Sequence, residues 1–303
     1  MSNPITIFSG ATGLNDVEDP ARIAFVRGGR SDLQAAVNVT IDSSLMVKTR
    51  AGTSLLQSGN FYSLFAHKNF CFVMKDDSLY GVAADGSLTG IRSGMHNGEK
   101  VAFWVVGERT YYCNGFENGV ILGNISSSWP VGTYVGPATN RQFNAAPIGH
   151  HLAQWGSRMF ISRDNVLWWS EPHNIYLYHL GGSFVQFRTK IRMIRPVTAG
   201  IFISTENRVL FLRGNQGNDP KSFSMEIISD YPAIEWTDAG NVKGNEVGFQ
   251  DPGLAVVWAT KHGAFIGLSS GNAYNLNREK VVYPDGCYGF GCLMDYHYIH
   301  GIN

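Results

Sequence analysis

The residues with the most obvious chemical potential lie near the C-terminus. Cys287 and Cys292 are followed by Asp295, His297 and His300. Thiolates and imidazoles in this number could close a tetrahedral zinc site. The spacing argues otherwise. Cys-x4-Cys is unusual as a first zinc pair, and Tyr288, Phe290, Tyr296 and Tyr298 make the stretch read as a packed aromatic strand end. On a strand, His297 and His300 would face opposite ways. The expectation is no metal, with Cys287, Cys292, His297 and His300 as the set to check.

Other motifs carry less. His150 and His151 follow Pro147 and Gly149, and no serine or cysteine partner is identifiable, so they read as solvated loop histidines rather than catalytic ones. Residues 162–169, SRDNVLWW, match the Asp-box of sialidase-like propellers at Ser, Asp and Trp. Val166 replaces the glycine of the tight turn. That box is structural, and no facing pair of carboxyl groups of the glycosidase kind is recognisable. Gly28-Gly29-Arg30-Ser31 lacks the lysine and the strand-to-helix context of a phosphate loop. Asn38-Val39-Thr40 and Asn124-Ile125-Ser126 match the glycosylation pattern, which means nothing without secretion. Trp104, Trp168 and Trp258 fall in strand cores, whereas Trp129, Trp155 and Trp236 lie nearer loops and could stack sugars. These readings together predict a non-enzyme with no catalytic residue and no cofactor.

The elements that would position such residues are strands. The 303 residues are 44% hydrophobic and only 16% charged, with 35 glycines. That balance fits an all-β chain with many turns and disfavours a helical bundle, which needs a charged face. Lys+Arg and Asp+Glu are equal at 24, so there is no overall basic footprint for nucleic acid. The start of the chain does not resemble a signal peptide, and no run reaches the ~18 apolar residues of a membrane span. Four cysteines make no disulfide scaffold.

Residues 36–52, AVNVTIDSSLMVKTRAG, show clean period-two alternation. Val37, Val39 and Ile41 share one face, which predicts a strand buried on one side. Asp42-Ser43-Ser44 makes the turn of a hairpin. Before it, residues 1–35 read as an extended arm broken by Gly10, Gly13, Pro20, Gly28 and Gly29. After it, paired apolar runs separated by polar turns recur. They lie near residues 70–82, 101–113, 159–170, 201–212 and 254–276, and residues 281–302 would finish a sixth unit. The spacing averages roughly the ~40–50 residues of a propeller blade. The expected fold is an all-β propeller of about five to six blades over residues 36–303. Residues 123–150 and 213–250 are expected to be long loops.

Residues 13–17, GLNDV, residues 36–42, AVNVTID, and residues 48–52, KTRAG, resemble a pattern in phage virion proteins. Residues 79–80 before Asp85-Gly86, and residues 158–162 with 167–172, are similar to the blade motif of the same group. The resemblance is to the β-propeller tail proteins of tailed bacteriophages, of the nozzle, DNA-stabilisation or tail-tip type. It implies a structural tail component located in the virion and assembled in the host cytoplasm. The implied partners are further copies in a ring, commonly sixfold, and adaptor, portal, tail-tube or tail-fibre proteins. Non-specific contact with double-stranded DNA in the exit channel is also implied. Arg22, Arg27, Arg30, Lys48 and Arg50 would be the inter-subunit or DNA-facing residues, or else a solvated edge. The alternative is a virion host-receptor or carbohydrate-binding module.

Overall fold

The computed structural model describes residues 10–19, 23, 30–42, 44–52, 54–68, 70–131, 142–215, 217–277, 280–294 and 297–302. Two small sheets open the chain. β1 (Gly10–Leu14) pairs in parallel with β2 (Arg30–Leu33). β3 (Val39–Ile41) and β4 (Val47–Thr49) form the expected hairpin. Asp42 organises its turn, accepting from the Ser44 amide, the Ser44 hydroxyl and the Met46 amide.

Five antiparallel blades follow, each a meander in chain order. Blade 1 is β5 (Phe61–His67), β6 (Phe70–Lys75), β7 (Ser78–Val82) and β8 (Leu88–Arg92). Blade 2 is β9 (Ala102–Val106), β10 (Arg109–Cys113), β11 (Asn118–Leu122) and β12 (Ile125–Ser127). Blade 3 is β13 (His151–Trp155), β14 (Arg158–Arg163), β15 (Val166–Glu171), β16 (Asn174–Tyr178) and a further edge piece, β17 (Phe184–Gln186), on β15. Blade 4 is β18 (Ile191–Val197), β19 (Gly200–Thr205), β20 (Val209–Arg213) and β21 (Ser224–Ser229). Blade 5 is β22 (Ala239–Lys243), β23 (Leu254–Thr260), β24 (Gly263–Gly267) and β25 (Ala273–Asn275). A C-terminal hairpin, β26 (Gly289–Met294) with β27 (His297–Ile302), packs against β22. The fold is a five-bladed β-propeller, and the sixth unit expected from the sequence is this two-stranded hairpin.

The core lies between blades. Phe72, Met74 and Leu79 of blade 1 meet Phe103, Tyr112 and Ile121 of blade 2. Tyr111, Cys113 and Val120 on the other face of blade 2 meet Leu152, Met159 and Ile161 of blade 3. Phe160, Leu167 and Trp169 then meet Ile194, Ile201 and Ile203 of blade 4. Phe202 and Phe211 meet Val256 and Trp258 of blade 5. Val257 and Ile266 pack towards Leu293 and Tyr298 of the hairpin. Period two assigns each neighbour: Tyr111 faces blade 3 and Tyr112 faces blade 1 because successive strand side chains alternate.

Tight turns keep the blades compact. Lys68, Asp76, Gly107, Gly123, Gly156 and Asp164 each open a two-residue hairpin turn with φ between 49° and 61°. Hairpin turns of this length favour a left-handed first residue, which matches the twist of the flanking strands. In the SRDNVLWW segment Asp164 takes that conformation, so Val166 needs no glycine and instead pairs with Arg163.

Three sequence expectations are corrected. Residues 213–250 are not a long loop: they contain β21 and β22, the outer strand of blade 4 and the inner strand of blade 5. Their polar, interrupted pattern hid them, because β21 is an exposed edge. Residues 123–150 contain β12, and residues 132–141 lie outside the described residues. The hairpin at 36–52 forms, but its apolar face is not buried. Val39 and Ile41 are half-covered, and Val37 is 84% exposed.

The first sheet is tied to the end of the propeller. The Asp16 amide donates to the Lys280 carbonyl at 3.0 Å, and the Lys280 ammonium reaches Asp32 at 2.7 Å. Burial pushes the Asp32 carboxyl up, but Lys280, Thr12 and Asn15 outweigh it and hold the group below its ordinary value.

The C-terminal hairpin is seated by one close approach. The Tyr298 hydroxyl donates to the Thr237 carbonyl at 2.6 Å, and a Cβ at Gly291 would overlap that same carbonyl. Gly291→Val is therefore expected to lift the hairpin and cost about 2–3 kcal/mol, an overpacking penalty. Gly52→Ala, where a Cβ meets nothing within 4 Å, is the neutral control. Urea unfolding of the two variants checks this; equal midpoints would show that the hairpin does not depend on the contact.

Candidate functional site

The inner strands of the blades converge on a central channel. Its cavity of about 410 Å³ is lined by residues 61–65 of β5, residues 100–103 at β9, and His151 and Leu152 of β13. Ile194 and Arg195 of β18, Trp236 and Asp238 before β22, and residues 290–292 of β26 complete it. Side chains from the inner strands of blades 1 to 4, the entry to blade 5 and the C-terminal hairpin meet here. Its size suits a small ligand and excludes a nucleic-acid duplex.

The polar groups of the channel are few and placed. Arg195 pairs with the Asp238 carboxylate, and its Nη2 donates to the Asp238 carbonyl at 3.1 Å. The pair ties the inner strand of blade 4 to the entry of blade 5. Lys100 is half-buried, and burial lowers its pKa.

The densest chemistry sits at the corner where blades 3, 4 and 5 approach. His150 and His151 meet edge to face with ring centres 4.9 Å apart, and His151 lies 4.5 Å from the Trp236 ring. Glu235 places a carboxylate oxygen 3.6 Å from His151 Nε2 and 3.3 Å from the Lys190 ammonium. His150 Nε2 donates to the Ile191 carbonyl at 2.9 Å. A carbonyl only accepts, so the proton is on Nε2 and Nδ1 keeps its lone pair. His151 Nε2 is buried without a hydrogen-bond partner among the described residues. Trp236 has φ of 70°, in the left-handed region that a bulky aromatic rarely enters. The turn that imposes it is fixed by Thr237, whose hydroxyl donates to the Ile234 carbonyl at 2.7 Å and accepts from the Ala259 amide at 3.1 Å.

This corner corrects the reading of His150 and His151 as solvated loop histidines. His151 begins β13 and is only 5% exposed, and His150 is half-buried. Sequence reasoning missed it because Glu235 and Lys190 are far away in the chain. The aromatic Trp236 after an acidic residue was the sole local signal.

The residues singled out from sequence are scattered. Cys292 pairs with Ile299 and His300 with Gly291, so Cys292 and His300 stand on opposite faces of the C-terminal hairpin. The Cys287 thiol points to the Pro284 carbonyl at 2.9 Å, and His300 Nε2 meets the Tyr283 hydroxyl at 2.6 Å. Asp295 and the side chain of His297 lie outside the described residues. Cys287, Cys292 and His300 therefore do not converge on a metal. Among the basic residues, Arg22 and Arg27 lie outside the described residues, as does the side chain of Arg30. Lys48 is paired with Asp42 at 2.6 Å, and Arg50 is exposed. Of the tryptophans expected near loops, Trp129 and Trp155 are buried, at 4% and 6% exposure, which leaves Trp236 to offer a ring.

No protein-family model matches the chain. No curated protein matches it. Among solved structures it is similar to a streptogramin B lyase, with 8% identity, a TM-score of 0.48, and 81% of this chain and 77% of that one covered. It is similar to virginiamycin B lyase from Staphylococcus aureus, with 10% identity, a TM-score of 0.45, and 72% and 70% covered. It is also similar to BBS1N in complex with ARL6DN, with 11% identity, a TM-score of 0.48, and 86% and 82% covered. These likenesses concern architecture, and no activity or partner is transferred from them.

The histidine corner makes stability pH-dependent. Burial pushes the His150 pKa down to about 4, with the charges of His151 and Lys190 acting in the same direction. Unfolded, His150 titrates near 6.5. Between those values the unfolded chain holds a proton that the native one refuses, so stability falls as pH drops from 6.5 towards 4. His300, lowered by burial, adds in the same sense. Burial pushes Glu235 up, but His151 and Lys190 overcome it and bring it to about 2. Its contribution is present above its unfolded 4.5 and is lost as pH falls from there towards 2. The urea midpoint is expected to fall between neutral pH and about 4.5, and His150→Gln to remove about 2 kcal/mol of that fall. A profile unchanged by the substitution contradicts the assignment.

Proposed function

We propose that this protein is a structural component of a bacteriophage tail, a nozzle or tail-tip propeller. In this reading, copies assemble through protein–protein contacts around or near the DNA exit channel. The observation that carries the reading is the segment before blade 1. Val37 is 84% exposed, Leu55 83%, Leu56 73% and Met46 47%. Large apolar side chains grouped in one segment mark an interaction surface. The hairpin of β3 and β4 pairs only with itself among the described residues, so its apolar face is left for a neighbour.

The propeller is suited to such a role. Blades 2, 3 and 4 are each wedged between two others, blade 5 lies between blade 4 and the C-terminal hairpin, and the outer rims and edges are free for contacts. The narrow channel matters as well. Duplex DNA would have to pass outside each propeller, through a hole formed by several copies, as the resemblance to tail propellers implies. Lys48 is already paired within the chain, which leaves Arg50 as the described basic residue of this segment free to meet phosphate.

Light scattering is expected to find a closed oligomer for the purified chain. The double substitution Leu55→Asp and Leu56→Asp should return it to a monomer with an unchanged melting temperature, since neither residue belongs to an inter-blade core. A chain that stays monomeric over the whole concentration range removes the assembly reading. Antibody to the chain should decorate the tail of virions from cells that produce it, as seen by electron microscopy. Purified virions without the label would remove the tail assignment.

A further inference from the structure

We propose that His150, His151 and Glu235 form a zinc site on the wall of the central channel. The three side chains come from two places in the chain, the start of blade 3 and the turn before blade 5. Each offers one ligand atom, and these atoms lie within 4.8 Å of one another. Tetrahedral zinc with bonds of about 2.0–2.1 Å holds its ligands about 3.3 Å apart. His151 Nε2 and the Glu235 carboxylate, at 3.6 Å, are close to that spacing already.

The ligand-free atoms favour a metal. His151 is 95% buried, and its Nε2 has no hydrogen-bond partner among the described residues. A buried polar atom without a hydrogen bond is destabilising, and a metal bond would satisfy it. His150 is held by the Ile191 carbonyl through Nε2, which orients the ring and leaves Nδ1 as a donor. A backbone carbonyl behind a histidine is the usual outer support of a metal ligand.

The donor set selects the ion. Two imidazoles and one carboxylate suit zinc and its first-row neighbours, whereas calcium and magnesium need mainly oxygen. Three protein ligands leave a fourth position for water or a small anion from the channel, which His151 lines. Lys190 competes for Glu235 at 3.3 Å, but its side chain is 44% exposed and can turn into water. The inference does not rest on the tail role.

The test is titration of metal-stripped full-length protein with Co²⁺, followed by Zn²⁺. One Co²⁺ per chain is expected, with the intense visible absorption of a low-coordinate nitrogen-ligated ion, and Zn²⁺ should displace it. His151→Gln and Glu235→Gln should each weaken binding at least about 100-fold, with near-ultraviolet circular dichroism confirming the fold. Lys190→Ala removes the competitor and should tighten binding, a gain that misfolding cannot produce. The proposal is overturned if the wild-type chain takes up no Co²⁺. It is also overturned if folded His151→Gln and Glu235→Gln bind as tightly as wild type, if Lys190→Ala fails to tighten binding, or if uptake disappears in Cys287→Ser or Cys292→Ser instead.

Discussion

Every blade has two faces to bury, and only its neighbours can bury them. The rest of the molecule depends on this constraint. A sheet in a sandwich covers one face and wets the other. Here β14, β19 and β23 are apolar on both faces, with Phe160 and Ile161, Ile201 and Phe202, and Val257 and Trp258 all buried although adjacent in the chain. Adjacent strand residues point opposite ways, so the pairs of β14 and β19 each join three blades, and the pair of β23 joins blade 4, blade 5 and the C-terminal hairpin. Trp258 and Tyr112, fully enclosed, are held by this arrangement and hold it in turn. Removing blade 2, 3 or 4 would expose a face on each of two others, so the blades depend on one another for their cores.

The same geometry creates the channel. Inner strands lie closest to the axis, and the residues on them that are not used between blades project inward. Most of those are apolar. The exceptions, Arg195 with Asp238, Lys100, and the corner of His151 and Glu235, occur where segments from different blades come within reach. Trp236 shows the tension most clearly. Its left-handed backbone places Glu235 and the indole beside His151, and Thr237 holds the turn with one bond to Ile234 at its start and one to Ala259 of β23. Strain of this kind persists only where the surroundings over-determine it. Gly291 must stay small for a related reason, because the C-terminal hairpin lies directly on that turn.

Outside the ring the chain obeys a different rule. The first two sheets have too few strands to bury a face of their own. The first is fastened by polar links from Asp16 and Asp32 to the Lys280 segment, and the hairpin is tied to it by the Ala11 amide donating to the Leu45 carbonyl. Val37 and Met46 around the hairpin, and Leu55 and Leu56 in the connection to blade 1, are exposed.

Much of the fold was legible in the sequence. The recurring pairs of apolar runs, the polar turns and the low charge specify strands, hairpins and a blade-like repeat, and the hairpin at 39–49 formed with the expected turn. These are local properties, set by side-chain alternation and by turn residues such as Asp164 that tolerate the left-handed region. Strand identity failed where the local signal was weak, as for β21 and β22, whose places are given by their partners in the sheet. The site was not legible at all. Cys287, Cys292 and His300 are near in sequence but diverge in space, because a hairpin register sends Cys292 and His300 to opposite faces. His150, His151 and Glu235 span more than eighty residues of chain and meet only because the ring brings blade 3 back to the entrance of blade 5. Alternation and turns are written in neighbouring residues, so the sequence by itself determined the strands. Which side chains share a corner depends on how the blades close around the axis, and only the tertiary structure decided that.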